Sequence, residues 1–259
     1  MLGAVLAIYS EPATASQRIE TIETRPGITM RLLLNTPETS AKGAMVMFPG
    51  GRGANHFEEK DGKILLGKNF LVRSSPEFVK RGYAIVIVDV PSDQPNGMSD
   101  NFRNSPEHAE DIKRVITFLA GQGLKPAYLV GTSRGTLSVA YLAAVLRDDR
   151  IKGIVLTSSL AGPGFLGTLP LRQIGYPVLI VHHRSDGCKE TQFNEALQLK
   201  SWISKSPRVD FVEVRGGSWP KSDPCEALSY HGFLGMEEQV VQVITDWASG
   251  KAVPSKIGQ

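Results

Sequence analysis

A serine hydroxyl is a poor nucleophile at neutral pH. It needs an imidazole to take its proton and a carboxylate to orient that imidazole. One serine in this chain has neighbours suited to the task. Ser133 is the centre of Gly131-Thr132-Ser133-Arg134-Gly135, a Gly-x-Ser-x-Gly pattern. The apolar run Ala127-Tyr128-Leu129-Val130 precedes it. Leu137, Ala140, Tyr141, Ala144 and Val145 follow at spacings of three and four. The pattern reads as a strand, a tight turn and a helix, with the serine presented at the bend. Gly131 and Gly135 leave room for so sharp a turn because neither carries a Cβ. The new helix aims its free N–H groups and positive dipole end at the same place.

The imidazole must come from His56, His108, His182, His183 or His231. His231 lies between the last strand and the last helix, in Ser229-Tyr230-His231-Gly232-Phe233, and is the candidate base; His183 is its rival. His108, in the first turn of a helix, reads as a surface residue. Asp186 is the candidate carboxylate. It is the first acid after the strand ending at Val181, it sits in the turn-type stretch Arg184-Ser185-Asp186-Gly187, and it falls between serine and histidine in chain order. Asp89 and Asp223 stay open as alternatives. A tetrahedral intermediate also needs hydrogen-bond donors for its oxygen. The backbone N–H of Arg134 is one candidate. The other is Gly51, with Arg52 as alternative, in the glycine-rich loop Pro49-Gly50-Gly51-Arg52-Gly53. Arg52, Asn55, His56 and Phe102 lie in loops at the same sheet edge and are candidate substrate-binding residues. A metal site built on His182, His183 and Asp186 is disfavoured, because adjacent residues of a strand point to opposite faces. The chain calls for no metal and no cofactor.

These residues need a frame. Residues 43–48, 83–90, 127–130, 151–157 and 177–181 are apolar runs of the kind buried on both faces of a sheet. Helical patterns alternate with them: 75–82 with Ser75 as cap, 105–121, 135–147, 190–204 and 236–248. Residues 17–24 and 28–34 flank the turn signal Pro26-Gly27 and predict an antiparallel hairpin at the sheet edge. The alternation predicts a single α/β domain, with a mostly parallel central sheet flanked by helices. In such sheets sites form at the carboxyl ends of the strands. The stretch 158–176 is too short for a large lid.

A formal net charge of +3, scattered along the chain, gives no reason to expect a nucleic-acid partner. Leu2 to Tyr9 is an apolar run too short to span a bilayer, so no integral membrane segment is expected. Ala13-Thr14-Ala15 follows it as a cleavage-type site, although a basic leader is missing. Residues 1–15 therefore read as a signal-peptide remnant and 16–259 as the domain, of periplasmic or secreted location; a cytoplasmic chain with a frayed apolar end is the alternative. In an exported protein the two cysteines, Cys188 and Cys225, read as a disulfide. The bridge would tie the Asp186 loop to the His231 loop.

With the Ser133 motif, the glycine loop at 49–53, Asp186 after a late strand and His231 before the last helix in this order, the chain resembles the α/β-hydrolase superfamily over residues 28–248. Its compact form is similar to dienelactone-hydrolase-like and small-esterase members that lack a large cap. It departs from dienelactone hydrolase itself, whose nucleophile is cysteine, and it has Phe48-Pro49-Gly50-Gly51 where many members have His-Gly. The resemblance implies a serine hydrolase acting on a small-molecule ester. Thioesterase, peptidase and acyltransferase activity use the same residues, and a non-catalytic binding module could keep the same fold. The sequence specifies no oligomeric state.

Overall fold

The continuously apolar runs form the middle of one sheet. A computed structural model describes residues 16–60 and 63–259, so the expected signal-peptide remnant lies outside the described residues. Strands β3 (Ala44–Phe48), β7 (Ala127–Thr132) and β9 (Val178–His183) are buried at every position. β6 (Ala84–Pro91) and β8 (Ile151–Thr157) are buried at all but one. Such strands can only be covered on both faces, and that is how they are found. β1 (Ser16–Arg25) and β2 (Ile28–Thr36) make the edge hairpin, turning through Gly27 at φ +72. β10 (Val209–Val214) and β11 (Lys256–Ile257) close the other side. The order is β1-β2-β6-β3-β7-β8-β9-β10-β11. β1, β2 and β6 pair antiparallel and the rest in parallel, so Phe48, Thr132, Thr157 and His183 end at one edge.

Two apolar clusters cover the two faces. On one side α4 (Pro106–Gly121), α5 (Gly135–Val145) and α6 (Phe193–Trp202) pack Ile112, Val115, Leu137, Val139 and Leu199 against the sheet. On the other, α1 (Phe70–Arg73), α2 (Ser75–Lys80) and α7 (Glu237–Ala248) contribute Phe70, Phe78, Val240, Ile244 and Trp247. The segment between β8 and β9 holds only two short 3-10 turns, and among the described residues no large lid crosses the sheet edge.

Several expectations need correction. α2 is capped at Ser74, not Ser75, because α1 runs straight into it and the two share that residue. The four-residue α3 (Asp100–Arg103) occupies a stretch that reads as loop, and a small hairpin, β4 (Glu58–Lys60) with β5 (Lys63–Leu65), occupies one to which the sequence assigns no element. His108 is not a surface residue. It is wholly buried, with Phe48 and Phe102 beside its ring. It lies four residues before Ile112, so it continues the apolar stripe of α4 by one turn. Asp111, four residues before Val115, is buried in the same way and is held by Arg25 of β1 at 2.9 Å.

Candidate active site

β7 delivers Ser133 and α5 carries the chain away. Ser133 has φ +52, a left-handed conformation that a non-glycine residue adopts only where its surroundings enforce it. The enforcement is visible. A Cβ on Gly135 would lie 1.9 Å from the Phe48 carbonyl oxygen, and one on Gly131 would lie 2.6 Å from the Gly135 oxygen. Ser133 N–H donates to Thr157 O at 3.0 Å, and the Thr136 hydroxyl donates to Ser133 O at 2.7 Å. The turn is thus clamped between two strands and the helix start. The Arg134 side chain pairs with Asp100 and, at 3.1 Å, with Glu190. Its backbone N–H has no hydrogen-bond partner among the described residues.

Asp186 lies in the turn after β9, where its N–H donates to His183 O at 3.1 Å. Its carboxylate is wholly buried and fully used. Oδ1 accepts from Cys188 N–H at 2.9 Å; Oδ2 accepts from the Thr191 hydroxyl at 2.9 Å and lies 3.0 Å from His231 Nδ1. His182 Nε2 stands 3.5 Å from the same oxygen, while it donates to Thr191 O at 2.8 Å. Burial alone would raise the Asp186 carboxyl. The hydrogen bonds and charges of His182 and His231 outweigh it and hold the group well below the usual carboxylate range. His231 Nδ1 also lies 3.1 Å from the Thr191 hydroxyl. With Nδ1 so occupied, the ring nitrogen left without a protein partner among the described residues is Nε2.

The backbone around His231 is held as firmly. The Ser158 hydroxyl donates to His231 O at 2.7 Å, and the Ser229 hydroxyl accepts from His231 N–H at 3.1 Å. A Cβ on Gly232 would fall 1.9 Å from Ala227 O, so only glycine fits beside the imidazole. His183, the rival, has both ring nitrogens engaged, with Gly216 O at 3.0 Å and Ser185 N–H at 3.1 Å, and it stacks on Tyr230. Burial holds it below the usual histidine range. Asp89, the alternative acid, accepts instead from Asn55 N–H at 2.8 Å and Val90 N–H at 2.9 Å, bracing the glycine loop. Asp223 is exposed.

That loop passes directly over the serine. A Cβ on Gly50 would meet Ser133 Cβ at 2.8 Å and Oγ at 3.4 Å. Gly51 has φ +58, and its N–H is without a partner among the described residues. Ser133, His231, Gly50 and Gly51 line one cleft of about 290 Å³. No hydrogen bond joins the Ser133 hydroxyl to the His231 ring among the described residues.

The chain also matches a family model described as the alpha/beta hydrolase fold, over residues 44–188 and so over more than half its length. It belongs to the alpha/beta hydrolase fold family.

Solved structures of other α/β-hydrolases superimpose on it. A cold-adapted esterase from an Arctic intertidal metagenomic library is 17% identical, covers 88% of this chain and 94% of its own, and gives a TM-score of 0.59. An α/β serine hydrolase homologue from Coxiella burnetii is 19% identical, with 86% and 95% covered and a TM-score of 0.58. A serine hydrolase without lid from Xanthomonas campestris is 12% identical, with 92% and 97% covered and a TM-score of 0.60. At these identities the likeness establishes the fold. No curated protein matches the sequence.

In this α/β-hydrolase none of the four candidate substrate-binding residues lines the cleft. Arg52 lines an adjoining depression of about 440 Å³, which shares Gly51 with the serine cleft and has Gln94, Ser99, Asp100 and Arg134 on its walls. His56 is exposed, outside both hollows. The Asn55 side chain is spent on the carbonyls of Gly53 and Val88, at 3.1 and 3.0 Å. Phe102 turns away to pack on His108 and beneath the Arg25 guanidinium. The serine cleft is walled instead by Lys68, Asn69, Phe70, Glu226 and Ala227, which no sequence signal singled out. Thr191 and His182 were likewise missed as partners of Asp186. The pair of histidines ending a strand was the only trace of the second, and nothing in the sequence marks the first.

Cys188 and Cys225 are bridged, with Cα atoms 4.5 Å apart. Cys225 lines the serine cleft, so the bridge joins the Asp186 turn to the wall beside His231. Among the described residues no helix is long and apolar enough to cross a membrane, and no three His, Cys, Asp or Glu side chains converge as a metal site.

Proposed function

We propose that this chain is a serine hydrolase that cleaves carboxylic esters through an acyl-enzyme. The observation that carries the reading is the joint placement of Ser133 and His231. A serine in a forced left-handed turn and a histidine whose Nδ1 is bound by a buried carboxylate face one cleft. The hydrogen bond to Asp186 favours the tautomer protonated at Nδ1, which leaves Nε2 basic. Ser133 Oγ attacks the ester carbonyl as Nε2 takes its proton. Asp186 stabilises the imidazolium. The developing oxyanion is held by the free N–H groups of Arg134 and Gly51. His231 then protonates the leaving alcohol, and a water activated by Nε2 releases the acid. Catalytic hydrogen bonds are often long before substrate binds and tighten in the complex, so the unlinked Ser133 and His231 are compatible with these steps.

The bridged cysteines support folding in an oxidising compartment, periplasmic or extracellular. The test is turnover of a short-chain nitrophenyl ester by wild type and Ser133→Ala, with peptide mapping of fluorophosphonate-labelled protein. The expected result is label on Ser133 and a loss of at least about 10³-fold in kcat in the variant. Undiminished turnover by Ser133→Ala overturns the reading. Thioester and aminoacyl substrates assayed alongside fix the bond preferred.

A further inference from the structure

Two arginines of this protein are tied to buried surroundings, and they are treated differently. Arg25 is matched by the buried carboxylate of Asp111. Arg103, the last residue of α3, has no solvent exposure and no carboxylate partner among the described residues. Among the described residues its guanidinium donates only to neutral oxygens: Ser138 Oγ of α5 at 3.0 Å and Gly51 O at 3.1 Å. Nε has no partner among the described residues. Burial lowers its pKa to about 10, which still leaves it a cation at neutral pH. Burying an unmatched charge is costly, and a fold that keeps one in its core gains nothing in stability from it.

The location supplies a use. Gly53 packs so closely on the guanidinium that a Cβ there would lie 2.7 Å from a terminal nitrogen. Gly50 O accepts from Gly53 N–H at 3.2 Å, and Arg52 O accepts from Met98 N–H at 2.8 Å. Arg103 therefore fastens the Gly50–Gly53 turn at Gly51 O, while the Asn55 amide holds its end at Gly53 O. In the same turn Gly50 lies against Ser133, and the Gly51 N–H next to it has no partner among the described residues. The second hydrogen bond of Arg103, to Ser138, refers the turn to α5, the helix that begins two residues after the serine.

We propose that Arg103 is a positioning residue for the reaction: by binding Gly51 O and packing on Gly53, whose N–H donates to Gly50 O, it fixes the turn so that the N–H of the Gly50–Gly51 peptide faces the reacting oxygen, and it places a fixed positive charge behind that donor. The proposal rests on the serine-hydrolase reading above. Its energetic consequence falls on the transition state, where negative charge develops, more than on the bound substrate.

The test compares wild type, Arg103→Met, Arg103→Lys, Ser138→Ala and Ser133→Ala, each checked for folding by thermal melting. Activity is read on a short-chain nitrophenyl ester. Binding is read with a trifluoromethyl ketone, which forms an oxyanion on the serine, and with a non-reactive ketone of the same shape. Arg103→Met is expected to lower kcat about 100-fold, with KM within about threefold of wild type. The trifluoromethyl ketone should weaken by a similar factor and the non-reactive ketone should not. Arg103→Lys, which keeps the charge, should recover at least about tenfold of the loss. A folded Arg103→Met with kcat within about threefold of wild type overturns the proposal, as does equal weakening of both ketones. If Arg103→Met does not fold, Ser138→Ala decides: a severalfold fall in kcat at constant KM supports the role, and an unchanged kcat overturns it. Ser133→Ala separates the two levels. Full activity there removes the serine reading, and Arg103 with it. An inactive Ser133→Ala beside an undiminished Arg103→Met removes only Arg103.

Discussion

Replacing both bridged cysteines, Cys188→Ala with Cys225→Ala, removes a cross-link that closes a 37-residue segment. In the chain-entropy model such a closure costs the unfolded ensemble about 4 kcal/mol of freedom at 25 °C, so its loss should destabilise the fold by that order. For a protein of this size each kcal/mol moves Tm by about 2–4 °C, which puts the expected drop at roughly 8–15 °C. Activity below the melt should suffer less. Asp186 keeps its bonds to Thr191 and His231 without the bridge, so kcat at 25 °C should stay within about tenfold of wild type. The assay is calorimetry and urea unfolding of wild type and the double variant, each with and without a phosphine reductant. Reduced wild type should melt with the double variant, and the reductant should leave the variant unmoved. A drop smaller than about 2 °C would refute the loop-closure reasoning. Two free thiols in untreated, exported wild type would refute the bridge itself.

Three further perturbations test other parts of the structure. Burial, reinforced by the charges of Arg103 and Arg25, holds His108 down to about 3, far below its unfolded value near 6.5. The native state therefore binds fewer protons than the unfolded one in this range, and stability falls as pH drops from about 6.5, by about 1.4 kcal/mol per pH unit. His108→Leu should flatten urea-unfolding stability by that slope between about pH 6 and pH 5, above the range in which the Asp186 carboxyl takes up a proton in the unfolded chain; an unchanged slope would place His108 in contact with water. Gly50→Ala forces a Cβ to within 2.8 Å of Ser133 Cβ, so the serine or the loop must shift, and kcat/KM on a nitrophenyl ester should fall by about 100-fold or more. Arg25→Ala strands the fully buried Asp111 carboxylate and should cost about 3–5 kcal/mol in urea unfolding, most of it recovered when Asp111→Leu is added.

The sheet was readable because its inner strands are apolar at almost every position, a pattern that only two-sided burial explains. The elbow was readable because its glycines are required by backbone clashes at a spacing of four. Elements without such a demand left no mark. β4 and β5 are three residues each, α1 and α3 four, and β11 two, all too short to show a period. The meeting of Asp186 with His231 followed from strand ends and chain order. Thr191, which touches both, lies in an irregular stretch and is fixed by tertiary folding alone. His108 was misread for the opposite reason: its polarity outweighed a periodicity that already placed it inward. Asn55 and Phe102 show the limit of assigning residues to a pocket by loop membership. Both stand at the correct sheet edge, yet one bonds backbone and the other packs away from the serine.

Nine of the eleven residues of α5 are buried, so the helix that begins beside Ser133 has almost no face toward water. Its tolerance for change is accordingly small, and the serine inherits its coordinates from the protein's interior. The cleft is bordered by side chains of another kind. Lys68 and Glu226 stand exposed there on loops that bear little of the core's weight, as does Arg52 in the adjoining depression. Diversification of what the cleft admits can therefore proceed at its rim, leaving the reacting atoms where they are.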